Sequence, residues 1–332
     1  MGQQLASDPI DVVYTWVDGF DSAWRERKQA RLASLGAVAQ QLDPTATSRV
    51  RYLSRDELRY SLRSLERFAP FVRNVYLVTD RQVPPWLDVD HPGLVIVPHE
   101  DLFPDPSHLP SFSSQAIESH LHRIPGLAEH FVYFNDDVLL YRPCTAADFF
   151  DQQGRSVVYL DRRPVVWDEA EPGYSVGVNA AARNSSKLLE ATLGYRIERR
   201  IDHTPHALRR SVLEEIWKRF PDELEALSAQ PFRHPGTVAL TSCLAPHYGL
   251  CTGTAVSVSD ARLVYLKVKK KRRSSLKLAR KLLRELSQPS PEARFFSLND
   301  SGELDDSRLT AALIALFFRL TYPRRSRFER AR

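Results

Sequence analysis

The chain has 332 residues, 43% of them hydrophobic and 26% charged, which excludes a disordered, fibrous or membrane-embedded class and leaves one large domain with insertions or two domains. Its net charge of +5 and pI near 9.1 suit an anionic partner, but much of that excess sits between Lys267 and Lys281. Three scattered cysteines, Cys144, Cys243 and Cys251, exclude a disulfide framework or a CxxC metal site and read as buried free thiols.

Residues 1–9 read as a disordered lead-in. Ile10 to Val17 forms a strand closed by Asp18-Gly19, with Asp11 out of keeping in a buried strand unless it faces solvent at the strand's start or serves a site. Residues 21–40 are helical in pattern, with Trp24, Leu32 and Leu35 toward the core. Ser54 and Glu57 predict a capping box opening a helix whose Leu58, Leu62 and Leu65 make one apolar stripe. Arg55, Arg59, Arg63 and Arg67 fall on its other side, predicted as a solvated face. Val75 to Thr79 is a strand ending at Asp80, and Leu94 to Val97 another. Ser114 is predicted to cap a helix with Ile117, Leu121 and Ile124 inward and with Glu118 and His122 sharing a face. Phe131 to Phe134 then reads as a buried strand running straight into Asn135-Asp136-Asp137. Strands and helices alternating over residues 10–137 predict parallel βαβ units.

The second half is less regular. Val157 to Leu160 and Tyr174 to Val178 suggest strands, and residues 184–194 a short helix. Thr204 and Pro205 predict the start of a helix buried through Leu208, Val212 and Ile216. Another helix is expected over 222–229. Leu276, Leu282, Leu283 and Leu286 make the latter part of the basic segment amphipathic. Phe295 to Asp300 repeats the apolar-then-Asn-Asp form of the central strand. A last amphipathic helix over 307–320 and a basic tail over 323–332 close the chain.

Open α/β sheets bind ligands beyond the C-terminal ends of their strands. Asn135, Asp136 and Asp137 stand there, and adjacent carboxylates are costly without a cation or a proton. A turn rich in Asp is the plain alternative. Asp11, Asp18, Asp80 and Glu118 add carboxylates, while His203, before the expected helix N-terminus, and Arg233 with His234 add positive charge. Capping or packing is the plain alternative for His203, and a surface position for Arg233. The set suits a divalent cation, Mg²⁺ or Mn²⁺, with a phosphate-bearing compound. Nucleic acid is excluded as a partner by the lack of stacking aromatics and of a known module. With no apolar run resembling a signal peptide and none near the roughly 18 residues of a membrane span, the expected location is the cytoplasm, with peripheral contact at the inner membrane face through residues 267–281.

Longer motifs add a resemblance. Ile10-Asp11-Val12-Val13-Tyr14-Thr15-Trp16-Val17-Asp18-Gly19 resembles the first block of the Stealth family of bacterial capsular polysaccharide phosphotransferases, to which the animal N-acetylglucosamine-1-phosphotransferase catalytic subunit also belongs. Asp56 to Glu66, Val78-Thr79-Asp80, Leu109 to Ser114, Ala116-Ile117-Glu118, Leu121 to Ile124 and Tyr133 to Asp137 are similar to the second block. His203-Thr204-Pro205-His206 with Phe232-Arg233-His234 is similar to the third, and Phe295 to Asp300 to a short fourth. The resemblance implies one domain over 10–306, made of a βαβ half at 10–150 and a second half at 151–306, followed by a C-terminal helix and tail at 307–332. It implies a Rossmann-like, mostly parallel sheet of the GT-A nucleotide-sugar transferase type, with helical insertions and a helical C-terminal part. It further implies transfer of a sugar-1-phosphate from a nucleotide sugar, such as a UDP-N-acetylhexosamine, to a hydroxyl of a polysaccharide or sugar acceptor in capsule or exopolysaccharide synthesis. A metal-dependent glycosyltransferase releasing a nucleoside diphosphate is the alternative, and a non-catalytic basic scaffold a third. Asp11, Glu118, Asp137, His203 and Arg233 fall on the family's active-site positions. Asp11, Trp16, Asp18 and Asp80 are then expected around the donor, and Asn135, Asp136 and Asp137 at the metal. His203 is a candidate general base or phosphate contact, and Glu118 an alternative base or a hydrogen-bond acceptor for a sugar hydroxyl.

Overall fold

The structure is a computed structural model that describes residues 8–43, 45–171, 174, 177–259, 263–268, 272–300 and 308–331. The strands are β1 (Ile10–Thr15), β2 (Val72–Thr79), β3 (Leu94–Pro98), β4 (His130–Asn135), β5 (Val138–Leu140), β6 (Ser156–Pro164), β7 (Arg199–Ile201), β8 (His206–Arg209), β9 (Ala255–Val258), β10 (Leu263–Val268) and β11 (Phe295–Asp300). The α-helices are α1 (Ser22–Ser34), α2 (Glu57–Phe68), α3 (Ser114–Glu118), α4 (Gly177–Leu193), α5 (Arg210–Arg219), α6 (Pro221–Ser228), α7 (Ala245–Thr252), α8 (Arg272–Ser287) and α9 (Arg308–Thr321).

The main sheet has the order β3-β2-β1-β4-β8, parallel except for β8. Its apolar strands are buried on both faces, and the two-residue period sorts them. Val12, Tyr14, Val132 and Phe134 face a core with Leu58, Leu62 and Leu65 of α2. Val13, Phe131 and Tyr133 face a second core with Ile117, Leu213 and Ile216. Each of the α2 leucines contributes about 1.5–3 kcal/mol by leaving water. The chain winds outward from β1 to β3 and returns across β1 to β4. The winding therefore reverses between β1 and β4, the switch point where such sheets bind ligands. There Thr15 lies opposite Asn135.

Two small sheets close over that edge. Asp136-Asp137 forms a two-residue turn from β4 into β5, and β5 pairs antiparallel with β11, which pairs with β10. A third sheet, β7-β6-β9, carries the chain toward residue 203.

Several expectations are corrected. α2 begins at Glu57, not Ser54, because Asp56 adopts a left-handed φ of 65°; the Glu57 carboxylate accepts from the Arg55 N–H, so no Ser54 capping box forms. The helix expected to carry both Glu118 and His122 stops at Glu118. Its cap is Ser113, whose hydroxyl accepts from the Ala116 N–H, and a separate 3-10 turn holds His122. The helix expected from Pro205 starts at Arg210; residues 206–209 are β8, drawn into the sheet by the open edge of β4, with His206 opposite Tyr133. Residues 177 and 178 open α4 where a strand was expected, and residues 175 and 176 lie outside the described residues, as do 1–7 and 269–271.

The arginine face of α2 is only partly solvated: Arg67 is exposed, while Arg55, Arg59 and Arg63 are partly buried. Arg59 and Arg63 meet the fully buried Glu329 carboxylate at 2.7 and 2.6 Å, and Arg63 also donates to the Tyr322 carbonyl at 3.0 Å. With Tyr322 and Phe328 in the first core, the C-terminal segment is part of the fold.

Candidate active site

The site is built where four remote segments converge on the ends of β1 and β4. Asp137 follows β4 by two residues. Its carboxylate accepts from His203 Nε2 at 3.1 and 3.2 Å and from Asn299 Nδ2 at 3.4 Å. The sheet explains both partners. β8 runs antiparallel to β4 from Tyr133, so the residues just before it reach the end of β4. β11 lies beside β5, and Leu298 N–H donates to the Asp137 carbonyl at 3.2 Å. Burial opposes a charge on His203, but the Asp137 carboxylate outweighs it and raises the imidazole's pKa. Tyr265 of β10 stands edge-on to the same ring at 6.2 Å.

Asp136 is pushed well above the usual carboxylate range by burial, then by Asp137 and Glu57. Beneath it, Tyr14 hydrogen bonds to Ser61 at 2.8 Å, and Ser61 donates to the Val138 carbonyl at 2.6 Å, pinning α2 under the turn. A carboxylate raised by two others is the environment that a divalent cation reverses. The donors at hand are carboxylate and amide oxygens. Cys144 and Cys243 are buried in the cores and supply no thiolate here. The residues present therefore fit Mg²⁺ or Mn²⁺.

Glu118, at the end of α3, is buried, and burial raises its pKa. Its carboxylate accepts from the Thr241 hydroxyl and is hydrogen bonded by Ser114 and Tyr133. Tyr133 also bonds Thr15 at 2.8 Å, and Arg233 Nη2 donates to Ser114 Oγ at 2.5 Å. Thr241 lies in a π-helical turn, Leu240–Leu244, a distortion frequent at functional sites. Arg233 and His203 both interact electrostatically with Glu118.

Glu118, Asp137, His203 and Arg233 are thus brought together, and Asp11 is not. It lies four residues before the end of β1, roughly 13 Å along the strand. Its fully buried carboxylate accepts from Arg73 at 2.9 and 2.6 Å, Asn74 N at 3.2 Å and Ala128 N at 2.8 Å. Those donors tie β1 to β2 and to the segment entering β4, which explains a carboxylate inside a buried strand. Trp16 and Asp18 follow β1 at the ligand edge. Trp16 N–H donates to the Val78 carbonyl at 3.0 Å, and Gln82 bonds the Asp18 backbone N–H and carbonyl at 3.0 Å each. A Cβ on Gly19 would stand 2.2 Å from the Tyr52 carbonyl oxygen, so this loop requires glycine. Asp80, after β2, is held by Arg27 at 2.9 Å. Asn135 ends β4, half-buried.

Glu57, Ser114, Tyr133, Thr241 and Asn299 were not assigned to the site by the sequence reading. Glu57, Ser114, Tyr133 and Asn299 lie within the motifs that resemble the Stealth blocks, and Asn299 also in the echo of Asn-Asp after an apolar run; Thr241 carried no signal.

Comparison with known proteins bears directly on this cluster. Conserved region 1 of Stealth proteins matches residues 8–36, conserved region 2 residues 51–158 and conserved region 3 residues 202–249, together more than half of the chain. The chain belongs to the Stealth family. Stealth region 2 holds Glu118 and Asp137, and region 3 holds His203, Arg233 and Thr241. Among relatives, the exopolysaccharide phosphotransferase SCO6023 of Streptomyces coelicolor is 42% identical over 326 residues, 97% of this chain and 52% of the relative. The exopolysaccharide phosphotransferase CpsY of Mycobacterium tuberculosis is 40% identical over 257 residues, 77% of this chain and 47% of the relative. The chain spans about half the length of these curated relatives. Among solved structures, the galactosyltransferase LgtC aligns at a TM-score of 0.40 and 10% identity over 94% of this chain and 95% of the other. Mouse xyloside xylosyltransferase 1 aligns at 0.41 and 10% over 87% and 97%. At this level the likeness carries no argument about chemistry.

Proposed function

We propose that this Stealth protein transfers a sugar-1-phosphate from a nucleotide sugar to a glycan hydroxyl, forming a phosphodiester in exopolysaccharide or capsule synthesis. The observation that carries the reading is the convergence of Asp137, His203, Glu118 and Arg233 at the switch point of the sheet. The names of the relatives support it.

In this reading the acceptor oxygen attacks the sugar-bearing phosphorus as the bond from that phosphorus to the nucleoside phosphate breaks. The electron pair departs with the nucleoside monophosphate. His203, held through Nε2 by Asp137, turns Nδ1 to the acceptor hydroxyl and takes its proton. Arg233, fixed by Ser114, faces the charge that builds on the phosphoryl oxygens. Glu118, ringed by hydroxyl donors, orients a sugar hydroxyl. Trp16, Asp18 and Asp80, on the loops after β1 and β2, border the nucleotide. Asp136, Asp137 and Asn299, with Asn135, would hold Mg²⁺ or Mn²⁺, an ion that neutralises diphosphate charge.

The test is a screen of nucleotide sugars, a UDP-N-acetylhexosamine first, with Mg²⁺ and a capsule-fragment acceptor. Release of UMP, CMP or GMP with a new phosphodiester is the expected result. Release of UDP would make the protein a glycosyltransferase. Salt-sensitive polymer binding with no turnover would make it a scaffold.

No helix among the described residues is long and apolar enough to cross a membrane. We propose peripheral contact through α8, which exposes Leu276 and Leu283 beside Lys277, Arg280, Lys281 and Arg284. Co-sedimentation with anionic but not neutral vesicles is expected; equal recovery with both would remove the proposal.

A further inference from the structure

A second cluster of ligating groups lies on residues outside the site above. We propose that His108, Asp105 and Glu225 form a structural Zn²⁺ site that clips the loop before α3 to α6. His108 Nε2 stands 3.6 Å from Asp105 Oδ2 and 3.7 Å from Glu225 Oε1, and one ligand atom from each residue lies within 4.8 Å of the others. Both separations exceed a hydrogen bond. They match a shared ion instead, because two ligands about 2.1 Å from a tetrahedral centre stand roughly 3.4 Å apart. One imidazole and two carboxylates suit Zn²⁺ better than Mg²⁺, which seldom takes nitrogen.

The groups are held in place. His108 is only 9% exposed, and its Nε2 lies near both carboxylates with no hydrogen bond among the described residues. Its Nδ1 is bonded to Ser228 Oγ at 2.8 Å, and that hydroxyl also meets His120 Nε2 at 2.7 Å. This is the outer-shell bond that fixes a ligating imidazole. Asp105 Oδ1 accepts from Ser107 N–H at 2.8 Å, which leaves Oδ2 toward His108. Glu225 sits on α6 one turn before Ser228 and is largely exposed, free to close on an ion.

The position gives such an ion a purpose. His108 lies six residues before Ser114, and α6 ends five residues before Arg233. Phe112 N–H donates to the Pro231 carbonyl at 2.7 Å, and Arg233 donates to Ser114 at 2.5 Å. The ion would fasten the far ends of the two segments that carry that pair, making His108, Asp105 and Glu225 positioning residues for the phosphate-facing arginine.

The experiment strips the purified chain with chelator and titrates it with Zn²⁺ alone, reading stoichiometry by equilibrium dialysis and the melting temperature in parallel. One ion per chain is expected, with a rise in melting temperature. The same ion is expected in Asp137→Asn, which separates this site from the one on β4. Glu225→Gln, an exposed change that leaves the fold intact, should weaken uptake at least tenfold, as should His108→Ala. Ser228→Ala, which removes only the outer-shell bond, should weaken it by about 10–100-fold. No stoichiometric uptake by the native chain, uptake unchanged in Glu225→Gln and His108→Ala, or uptake lost in Asp137→Asn would overturn the proposal.

Discussion

Asp137 draws its donors from residues 66 and 162 positions away, which sets it apart from Asp136 beside it. Without an ion, burial and then the charges of Asp137 and Glu57 favour the neutral form of Asp136, whereas the Asp137 carboxylate holds His203 and Asn299. Asp137→Asn keeps the shape and removes the charge. It should lower turnover by on the order of 10³-fold in the nucleotide-release assay while leaving the circular dichroism spectrum unchanged. Near-normal turnover would remove Asp137 from the reaction. Glu118 gives a stability prediction at the same scale. Thr241→Val leaves a buried carboxylate short of a donor and should cost about 1–3 kcal/mol in urea unfolding. A change below a few tenths would show that Ser114 and Tyr133 suffice.

Among the elements, α2 has a wide reach, with leucines under the sheet, Ser61 under the Asp136-Asp137 turn and arginines on the C-terminal segment. Burial opposes the Glu329 charge, but Arg63, Ser326 and Arg59 outweigh it and hold its pKa down at about 2, below the usual 4.5. A depressed carboxylate contributes stability that is fully present above the unfolded value and is lost as pH falls through the folded one. The docking of this segment to α2 should therefore weaken from pH 4.5 downward, by up to about 3 kcal/mol when the loss is complete. The melting temperature measured from pH 6 to pH 3 should fall more steeply in the native chain than in Glu329→Gln, which starts lower. Parallel curves would dismiss the pair as a source of acid sensitivity.

At the scale of the whole molecule, the site is a product of closure. The main sheet alone offers Asn135, Asp136 and Asp137 at an open edge. His203 comes from the connection that leads from the β7-β6-β9 sheet back to β8, Asn299 from a strand that pairs with β5, and Arg233 from the segment after α6. The C-terminal segment covers α2 and β5 through Tyr322, Phe328 and Glu329. A chain ending at residue 321 leaves Arg59 and Arg63 without Glu329 and opens the first core. It should melt several degrees lower and be cut faster by protease. Identical melting would show that the segment only lies on the surface.

By itself the sequence determined what depends on near neighbours. Apolar runs and their periods marked β1 to β4 and α2, and the alternation from strand to helix set the parallel sheet and its ligand edge. The motifs that resemble the Stealth blocks singled out Glu118, Asp137, His203 and Arg233. What failed was decided by partners far along the chain. Pro205 reads locally as a helix start, yet the unpaired edge of β4 claimed residues 206–209 as a strand, because its N–H and C=O groups need partners. Asp11 reads as a site carboxylate, yet Arg73 and two backbone N–H groups made it a structural anchor. Arg59 and Arg63 read as part of a wet face until Glu329 is placed between them. Periodicity records which side of an element is apolar. Only the tertiary structure decides which charge that side meets, because each such pair joins segments whose separation no local pattern encodes.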